Sequence, residues 1–538
     1  MKKIFIFTFL LITTFAFSQS KRIKILNAKI SNADEKKFPG AIILSGAVKI
    51  EHEGAILDCN RAIVYQKQNF FKAFGNVIIN QGDTIIQTSD YANYDGNLKR
   101  SKSWGNVVLR DPTMTLVTDT LNFDRANQKL FYKDFATITD AKSVLKSKNG
   151  TFYLENKKFT ATSKVTITNP DNFIESNHLD YYTNSGHAYL YGPSTITNKE
   201  NGNRIYCEKG FYNTKTDISY FVKNAKLFLK DRTIQGDSLY YDKPRGFASA
   251  TKNIKVIDTL QNFVAKGNYA ELFEEKDSLF IVKRAVAISI IEKDSMYVHG
   301  DTLLVTGKQK ARIIRTYNNV KIFKSDLQGK CDSLHTNEAS GVTKMYYSPV
   351  LWSEGSQITG DSIKLLTNKK TEKLDSLKVL GNSFMVQKDS IDPNLFNQIK
   401  GRNMYGKFID NKLKTLLVKG NGEAVNNNRN EAGVLETITK QYCSNIEFEI
   451  ENNEMNAIKC LKQSDGKTYP PSQFPEEEKR MRGFLWREDE QPKVMEDIFF
   501  KGKSIPRKKL FKPLILKKNL LGGKDTKLFP EKGEIKKN

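Results

Sequence analysis

Residues capable of acid–base or metal chemistry are scattered along this chain and form no catalytic constellation. The five histidines lack the spacing of metal ligands, so we assign structural roles to His52, His178, His187, His299 and His335. Aspartates recur behind a Gly or another small residue at strand starts, namely Asp119, Asp237, Asp301, Asp332 and Asp361. Such an aspartate hydrogen-bonds its own turn backbone, which we favour over acid–base or calcium chemistry. The sequence also has no Gly-x-Ser-x-Gly or Walker motif. We therefore predict that the protein is not an enzyme and uses neither a metal nor a cofactor.

The feature that organises these residues is a repeat of about 30 residues. Each unit opens with an apolar strand, often behind Gly-Asn, and continues with a second strand behind a small residue and an Asp. The position of Leu121 marks thirteen units, with first ten spacings of 28 to 33 residues and last two of 41 and 42. The markers are Ala62, Ala92, Leu121, Thr151, Leu179, Gly210, Leu239, Ala270, Leu303, Leu334, Ile363, Met404 and Ile446. A fixed period of this size indicates a solenoid-like array.

Alternation within each strand indicates which residues face inward. Leu121 and Phe123 flank the polar Asn122, a period of two that is typical of a strand with one apolar face. The opening strands follow the same rule, for example with Val286 and Ile288. The inward candidates are Val77, Ile79, Val107, Leu109, Leu121, Phe123, Tyr181, Leu239 and Tyr241. They would line either a binding groove or an ordinary closed β core.

The two ends of the chain differ from the array. Residues 1–18 read as a signal peptide, with Lys2 and Lys3 ahead of an apolar run and a small-x-small site that predicts cleavage after Ser18. Residues 19–45 form a lead-in that would cap the N-terminal edge, and residues 46–460 form the repeat array. Residues 461–538 are predicted to be a linker, a short helix near residues 476–487 and a basic tail.

The formal net charge of +25 favours anionic partners. The export signal argues against nucleic acid. The anions outside the inner membrane are phosphorylated glycolipids and acidic polysaccharides. Alternatively, the lysines only solubilise a long β stack and protect its edges.

Four of the five cysteines occupy one small-residue slot of the repeat, just before the Asp position: Cys59, Cys207, Cys331 and Cys443. Neighbouring strands lie about 4.8 Å apart, so cysteines several units apart are too distant for a disulfide. We therefore predict that these four are unpaired. Cys443 and Cys460 are the one pair close enough in sequence to be considered for a bond.

The segments Phe74–Ile79 and Trp104–Leu109, the Gly-Asp-Ser/Thr-Leu second strand and the leader together resemble the OstA-like family over most of residues 40–460. That family includes the lipopolysaccharide-transport protein LptA and the N-terminal domain of LptD. The resemblance implies an all-β, open β-jellyroll, a V-shaped pair of sheets that holds acyl chains inside and phosphorylated sugars at the rim. The nine inward residues then become candidates for a lipid-binding groove.

The same resemblance implies the partners and the location. The partners would be lipopolysaccharide or another lipid A-type glycolipid, an outer-membrane translocon of LptD type and an inner-membrane export complex. Open strand edges at the ends of the array would also allow docking end to end with an OstA-like partner or another copy. The leader predicts a location in the periplasm, either free or associated with the outer membrane. Two other functions fit the repeat: an exported structural or adhesive β-solenoid, and a polysaccharide-active β-helix enzyme.

Overall fold

The structure is a computed structural model that describes residues 22–500 except 83–84, 231, 259–262, 292–293, 309–310, 372, 411 and 452–453. The chain divides into two compact units, which are treated separately below. Unit 1 comprises Met1–Asn201 with Asn213–Lys215, and unit 2 comprises Gly202–Tyr212 with Thr216–Asn538. The predicted signal peptide, residues 1–18, and the tail from residue 501 lie outside the described residues.

Unit 1 consists of antiparallel strands joined mostly by tight turns, as the alternating repeat predicts. Its strands are β1 (Lys24–Asn27), β2 (Ile30–Asn32), β3 (Ile42–His52), β4 (Ala55–Tyr65), β5 (Phe70–Gln81), β6 (Ile85–Asp95), β7 (Arg100–Arg110), β8 (Met114–Asp124), β9 (Lys129–Tyr132), β10 (Ala136–Asp140), β11 (Val144–Ser147), β12 (Asn149–Tyr153), β13 (Lys158–Thr168), β14 (Asn172–Tyr182) and β15 (His187–Asn198). β1 and β2, from the lead-in, both pair with β3.

Unit 2 continues the same pattern with longer strands near its end. Its strands are β16 (Arg204–Asn213), β17 (Ile218–Phe228), β18 (Arg232–Asp242), β19 (Phe247–Asp258), β20 (Phe263–Phe273), β21 (Ser278–Ile291), β22 (Asp294–Thr306), β23 (Ile313–Phe323), β24 (Gln328–Asn337), β25 (Val342–Tyr346), β26 (Val350–Ser353), β27 (Ser356–Thr359), β28 (Ser362–Thr367), β29 (Leu374–Lys388), β30 (Phe396–Ile409), β31 (Lys412–Arg429), β32 (Leu435–Glu451), β33 (Glu454–Leu461) and β34 (Asp465–Tyr469). The short 3₁₀ turns are Lys243–Arg245, Glu274–Lys276, Pro471–Gln473, Glu476–Glu478, Glu488–Glu490 and Met495–Phe499. No helix among the described residues is both long and apolar enough to cross a membrane.

Many of the long strands, mostly every second one, bend near their middle at a pair of residues with positive φ. In β5 and β7 these are Gly75–Asn76 and Gly105–Asn106, with φ of 71° and 47° and of 77° and 49°. The hydrogen-bond register between neighbouring strands shifts at the same point, between Phe74 and Val77 in the β5–β6 pairing. Gly and Asn tolerate this left-handed conformation better than other residues. Gly-Asn therefore marks a bend inside a strand, and the sequence prediction that the strand starts there is wrong.

The recurring aspartates lie beside these bends. Asp237 accepts a hydrogen bond from the Asn253 side-chain amide at 3.1 Å, and Asp301 accepts one from Asn319 at 2.7 Å. Asn253 and Asn319 are bend residues of the neighbouring strand. Asp237 and Asp301 therefore bond an asparagine side chain across strands, whereas the sequence predicted a bond to their own turn backbone.

The two halves of each bent strand share one core, which makes the fold a β-jellyroll. At the start of unit 1, Leu44 and Ala62 lie on one side of the bends and Ile50 and Leu57 on the other, yet all four belong to one buried cluster. The thirteen marker positions fall in thirteen different strands, which confirms the repeat. One marker is misplaced by a residue, because Phe152 is buried in β12 and Thr151 is only partly buried.

Residues 470–500 form a strap across the outer face of unit 2. The predicted short helix is absent here, since residues 476–478 and 488–490 are single 3₁₀ turns. Val286, His299, Lys321 and Lys330 form one cross-strand row, and Lys330 pairs with Glu490 of the strap. That row is therefore the outer one.

Val286 and Ile288 lie on this outer face under Ile498 of the strap, so their predicted inward orientation is wrong. Ala285 and Ala287 take the inward positions of β21. Both faces of this strand carry apolar residues because the strap covers the outer one.

The cysteine prediction is confirmed at three positions and wrong at one. Cys59, Cys207 and Cys331 are free and buried. Cys443 forms a disulfide with Cys460, with the Cα atoms 5.7 Å apart. The two residues lie on the paired strands β32 and β33, a proximity that a spacing argument between repeat units does not consider.

Candidate functional site

The interior of the jellyroll is the candidate site, and the structure places all nine predicted residues along it or at its margin. Those that are buried are Val77, Val107, Leu109, Leu121, Tyr181 and Leu239. Those that are partly exposed are Ile79, Phe123 and Tyr241. Seven of the nine belong to unit 1 and two to unit 2.

In unit 1 the interior is apolar with isolated polar pairs. Val77 and Ile79 pack in the cluster formed by β1, β3, β4, β5 and β6. Leu109 faces Leu116 across β7 and β8, and Leu121 faces Ser103. The Ser103 hydroxyl accepts a 2.5 Å hydrogen bond from Gln87, so neither buried group is unsatisfied.

Tyr181 lies where the interior meets the turns. Its phenol donates a 3.1 Å hydrogen bond to Asp140. Burial, together with the nearby Asp140 charge, raises the pKa of Tyr181 to about 12. The ring therefore offers an apolar surface and keeps a neutral hydroxyl at physiological pH.

In unit 2, Leu239 and Tyr241 line one apolar cavity with Phe221, Ile234 and Leu279. The cavity volume is about 30 Å³. Pockets that bind small molecules measure about 300–1,000 Å³. Burial and the nearby Glu274 raise the pKa of Tyr241 to about 12, so this residue too stays uncharged. An acyl chain would fit here only if the two halves of the strands move apart.

Sequence reasoning missed the inward residues that precede each bend. They occur two positions before the small-residue slot, at Leu57, Leu116, Leu145, Ile174, Ile234, Ile358 and Ile399, and all are buried. The same period of two, extended upstream of the slot, would have identified them. They lie on the same side of the bends as Ile79 and Leu109, which pair with Leu57 and Leu116.

The histidines do not assemble a reactive centre. Among the described residues, no three His, Cys, Asp or Glu side chains are placed to share a metal ion. The His299 ring lies 4.9 Å from the Phe499 ring, centroid to centroid, and burial lowers the pKa of His299. His52 shares a 2.8 Å hydrogen bond with the Tyr94 hydroxyl. Both are structural contacts, in line with the roles that we assigned from the sequence.

Comparisons with known proteins find one family and a similar solved structure. Residues 20–177 match the family described as OstA-like protein, which confirms the resemblance over that segment. No curated protein sequence matches the chain. Among solved structures, the chain is similar to LptH of Pseudomonas aeruginosa, described as the LptA homologous periplasmic component of the conserved lipopolysaccharide transport device. The identity is 12% and the TM-score 0.22, over 27% of this chain and 99% of LptH.

Proposed function

We propose that this chain, an OstA-like protein over residues 20–177, carries lipopolysaccharide or a related lipid A-type glycolipid through the periplasm to the outer membrane. The observation that supports the proposal best is the buried apolar lining, which recurs at equivalent repeat positions such as Val77 and Val107. A carrier needs a series of similar binding sites along its path, whereas a protein that holds one ligand needs only a single pocket. The net charge of +25 suits a phosphorylated ligand.

The mechanism is passive. An acyl chain gains about 0.8 kcal/mol for each CH₂ that it buries. Similar neighbouring sites have similar affinity, so a chain moves between them without a deep trap. Direction must come from partners, for which an LptD-type translocon and an inner-membrane export complex are the candidates. An end-to-end stack of copies would extend the same path.

Site-specific photo-crosslinking tests the proposal. A photoreactive residue at Leu121 should capture lipid A-containing species in cells, because this side chain is buried in the interior. The same residue at Asn122, the next position on the strand, should not, since successive side chains of a strand point to opposite faces. Equal labelling at the two positions would contradict an interior lipid site.

Native mass spectrometry separates this function from a structural or adhesive solenoid. The small size of the cavity beside Leu239 favours the structural or adhesive solenoid. Protein purified from envelopes should retain lipid A-type mass adducts if it is a carrier. Protein free of lipid, together with no crosslink at Leu121, would favour the structural solenoid.

A further inference from the structure

The two ends of the strands in unit 1 come together along one side. β4 and β6 have 11 residues each, an extended length of about 36 Å at about 3.3 Å per residue. Glu53 precedes β4 and Lys99 follows β6, so flat strands would hold these residues far apart. The Lys99 ammonium nevertheless lies 3.0 Å from the Glu53 carboxylate. The bends therefore fold the sheet until its two rows of turns face each other across a gap, here called the mouth.

Arg125 makes the densest contacts across the mouth. From the turn after β8, its guanidinium donates to the backbone carbonyls of His52 at 2.9 Å and Glu53 at 2.5 Å. Beside it, Tyr94 of β6 shares the hydrogen bond with His52. The hydrogen bond from Lys99 is the largest of the influences that lower the pKa of Glu53. The turn between β3 and β4 is thus held by side chains from the opposite row.

Two further contacts bridge the rows along unit 1. Lys157, in the turn after β12, lies 3.3 Å from Asp111, in the turn after β7. Tyr181 reaches Asp140 at the end of β10. The described contacts thus recur along the mouth at intervals of a few strands.

We infer that Glu53, Asp111 and Asp140 with their partners form a latch that closes the mouth, and that lipid reaches the interior of unit 1 sideways, between the two rows of turns, when the latch opens. The inference rests on the proposed function and adds its loading route and its gate. The Lys99–Glu53 pair is partly exposed, and such ion pairs individually contribute little to stability and open readily. The Asp111 carboxylate of the second ion pair is buried. Behind the latch, the two walls of the unit 1 interior are held together by the packing of buried apolar side chains.

Adjacent lysines provide a matched test. Lys157 crosses the mouth to Asp111, whereas Lys158 pairs with Asp180 on the neighbouring strand at 2.8 Å. Loading is measured by stopped-flow fluorescence with a lipid A analogue that carries a fluorophore on one acyl chain. Glu53→Gln should load about twofold to fivefold faster than the wild type, the range expected for the loss of one weak, partly exposed ion pair. Lys157→Met should load at least as much faster, because it removes the partner of the buried Asp111 carboxylate. Lys158→Met should load at the wild-type rate.

A covalent lock tests the gate in the opposite direction. Glu53→Cys with Lys99→Cys, joined by a short cleavable thiol crosslinker, should load at least tenfold more slowly and recover when the linker is cleaved. Unchanged loading in the locked protein would overturn the sideways route. Faster loading in Lys158→Met as well as Lys157→Met would overturn the latch.

A readout without lipid keeps the gate separate from the proposed function. Ser103→Cys places a nearly isosteric thiol in the unit 1 interior, where Ser103 is fully buried. Its alkylation should be faster in the Lys157→Met background and unchanged in the Lys158→Met background, with buried Cys331 of unit 2 as the internal reference. If lipid fails to bind any variant but this difference holds, the proposed function falls and the latch stands. If the difference is absent, the latch falls.

Discussion

The strap is held to unit 2 by glutamine side chains that bond its backbone, and Gln357 offers the sharpest perturbation. Gln357 is fully buried. Its amide donates to the Leu485 carbonyl at 2.6 Å, and its carbonyl accepts from the Arg487 N–H at 2.7 Å. Trp352 donates to the same carbonyl at 3.3 Å. One side chain thus satisfies a donor and an acceptor of the strap backbone and a third buried group.

Gln357→Leu keeps the approximate volume and removes all three bonds. A buried polar group left without a partner costs about 1–3 kcal/mol, so the two strap groups alone should destabilise strap docking by about 2–6 kcal/mol. Because 1.4 kcal/mol corresponds to a factor of ten, even about 2 kcal/mol should raise the population of the locally open strap about 30-fold. The strap should open locally and stay attached elsewhere, since Ile498 and Met481 remain buried at other points.

Hydrogen–deuterium exchange of peptides covering residues 484–492 measures this opening. The Glu490 N–H, which bonds the Arg487 carbonyl at 3.0 Å, reports on the strap without itself bonding Gln357. Its exchange should quicken about 30-fold or more in Gln357→Leu. It should stay unchanged in Gln235→Leu, the same substitution on β18. Unaltered protection in Gln357→Leu would refute the assignment of these hydrogen bonds as the anchor of the strap.

Three further outcomes are expected. Burial works to raise the pKa of Glu490, but hydrogen bonds from Arg487 and Lys330 hold it at about 2. Strap protection should therefore persist from neutral pH to about 4.5, the ordinary pKa of this carboxyl, and decline from there to about pH 2. A decline that begins near neutrality would contradict this ion pair. Alkylation of denatured, unreduced protein followed by mass mapping should label Cys59, Cys207 and Cys331 but neither Cys443 nor Cys460, and a label on Cys443 would show that this bond does not form. Ile25→Pro should weaken end-to-end pairing through β1, because proline removes a backbone donor at an edge strand. Analytical ultracentrifugation measures the change in association, and unaltered association would show that copies do not pair through β1.

The sequence predicts the strands and much of the interior for a simple physical reason. Leu121 and Val107 alternate with polar neighbours, and alternation reports directly which face is buried. The bends are less visible. In β7 they fall on Gly105–Asn106, but in β19 they fall on Lys252–Asn253. Gly-Asn signals a turn but does not say whether a strand starts or bends there, and Lys252 carries no turn signal at all.

The same alternation gives the wrong face where a second layer is added. Val286 and Ile288 look like inward residues because they are larger and more apolar than Ala285 and Ala287. They are apolar because Ile498 covers them from outside. A pattern of period two identifies an apolar face but cannot say what buries it. The contact that decides the question lies about 200 residues further along the chain.

The features that specialise this array are accordingly found where the repeat is broken. A residue at a repeated position, such as the buried Leu121, contributes to the core that all units have in common. Arg125 bonds the backbone of a turn 72 residues earlier, and Gln357 bonds a strap 128 residues later. Neither interaction follows from the unit itself. A chain that only needed a stable β stack would gain little from a pair such as Lys99–Glu53, since partly exposed ion pairs add about 0–1 kcal/mol each. Their recurrence along the mouth is better explained by a closure that must also open, and it makes the mouth of unit 1 the place where loading should be controlled.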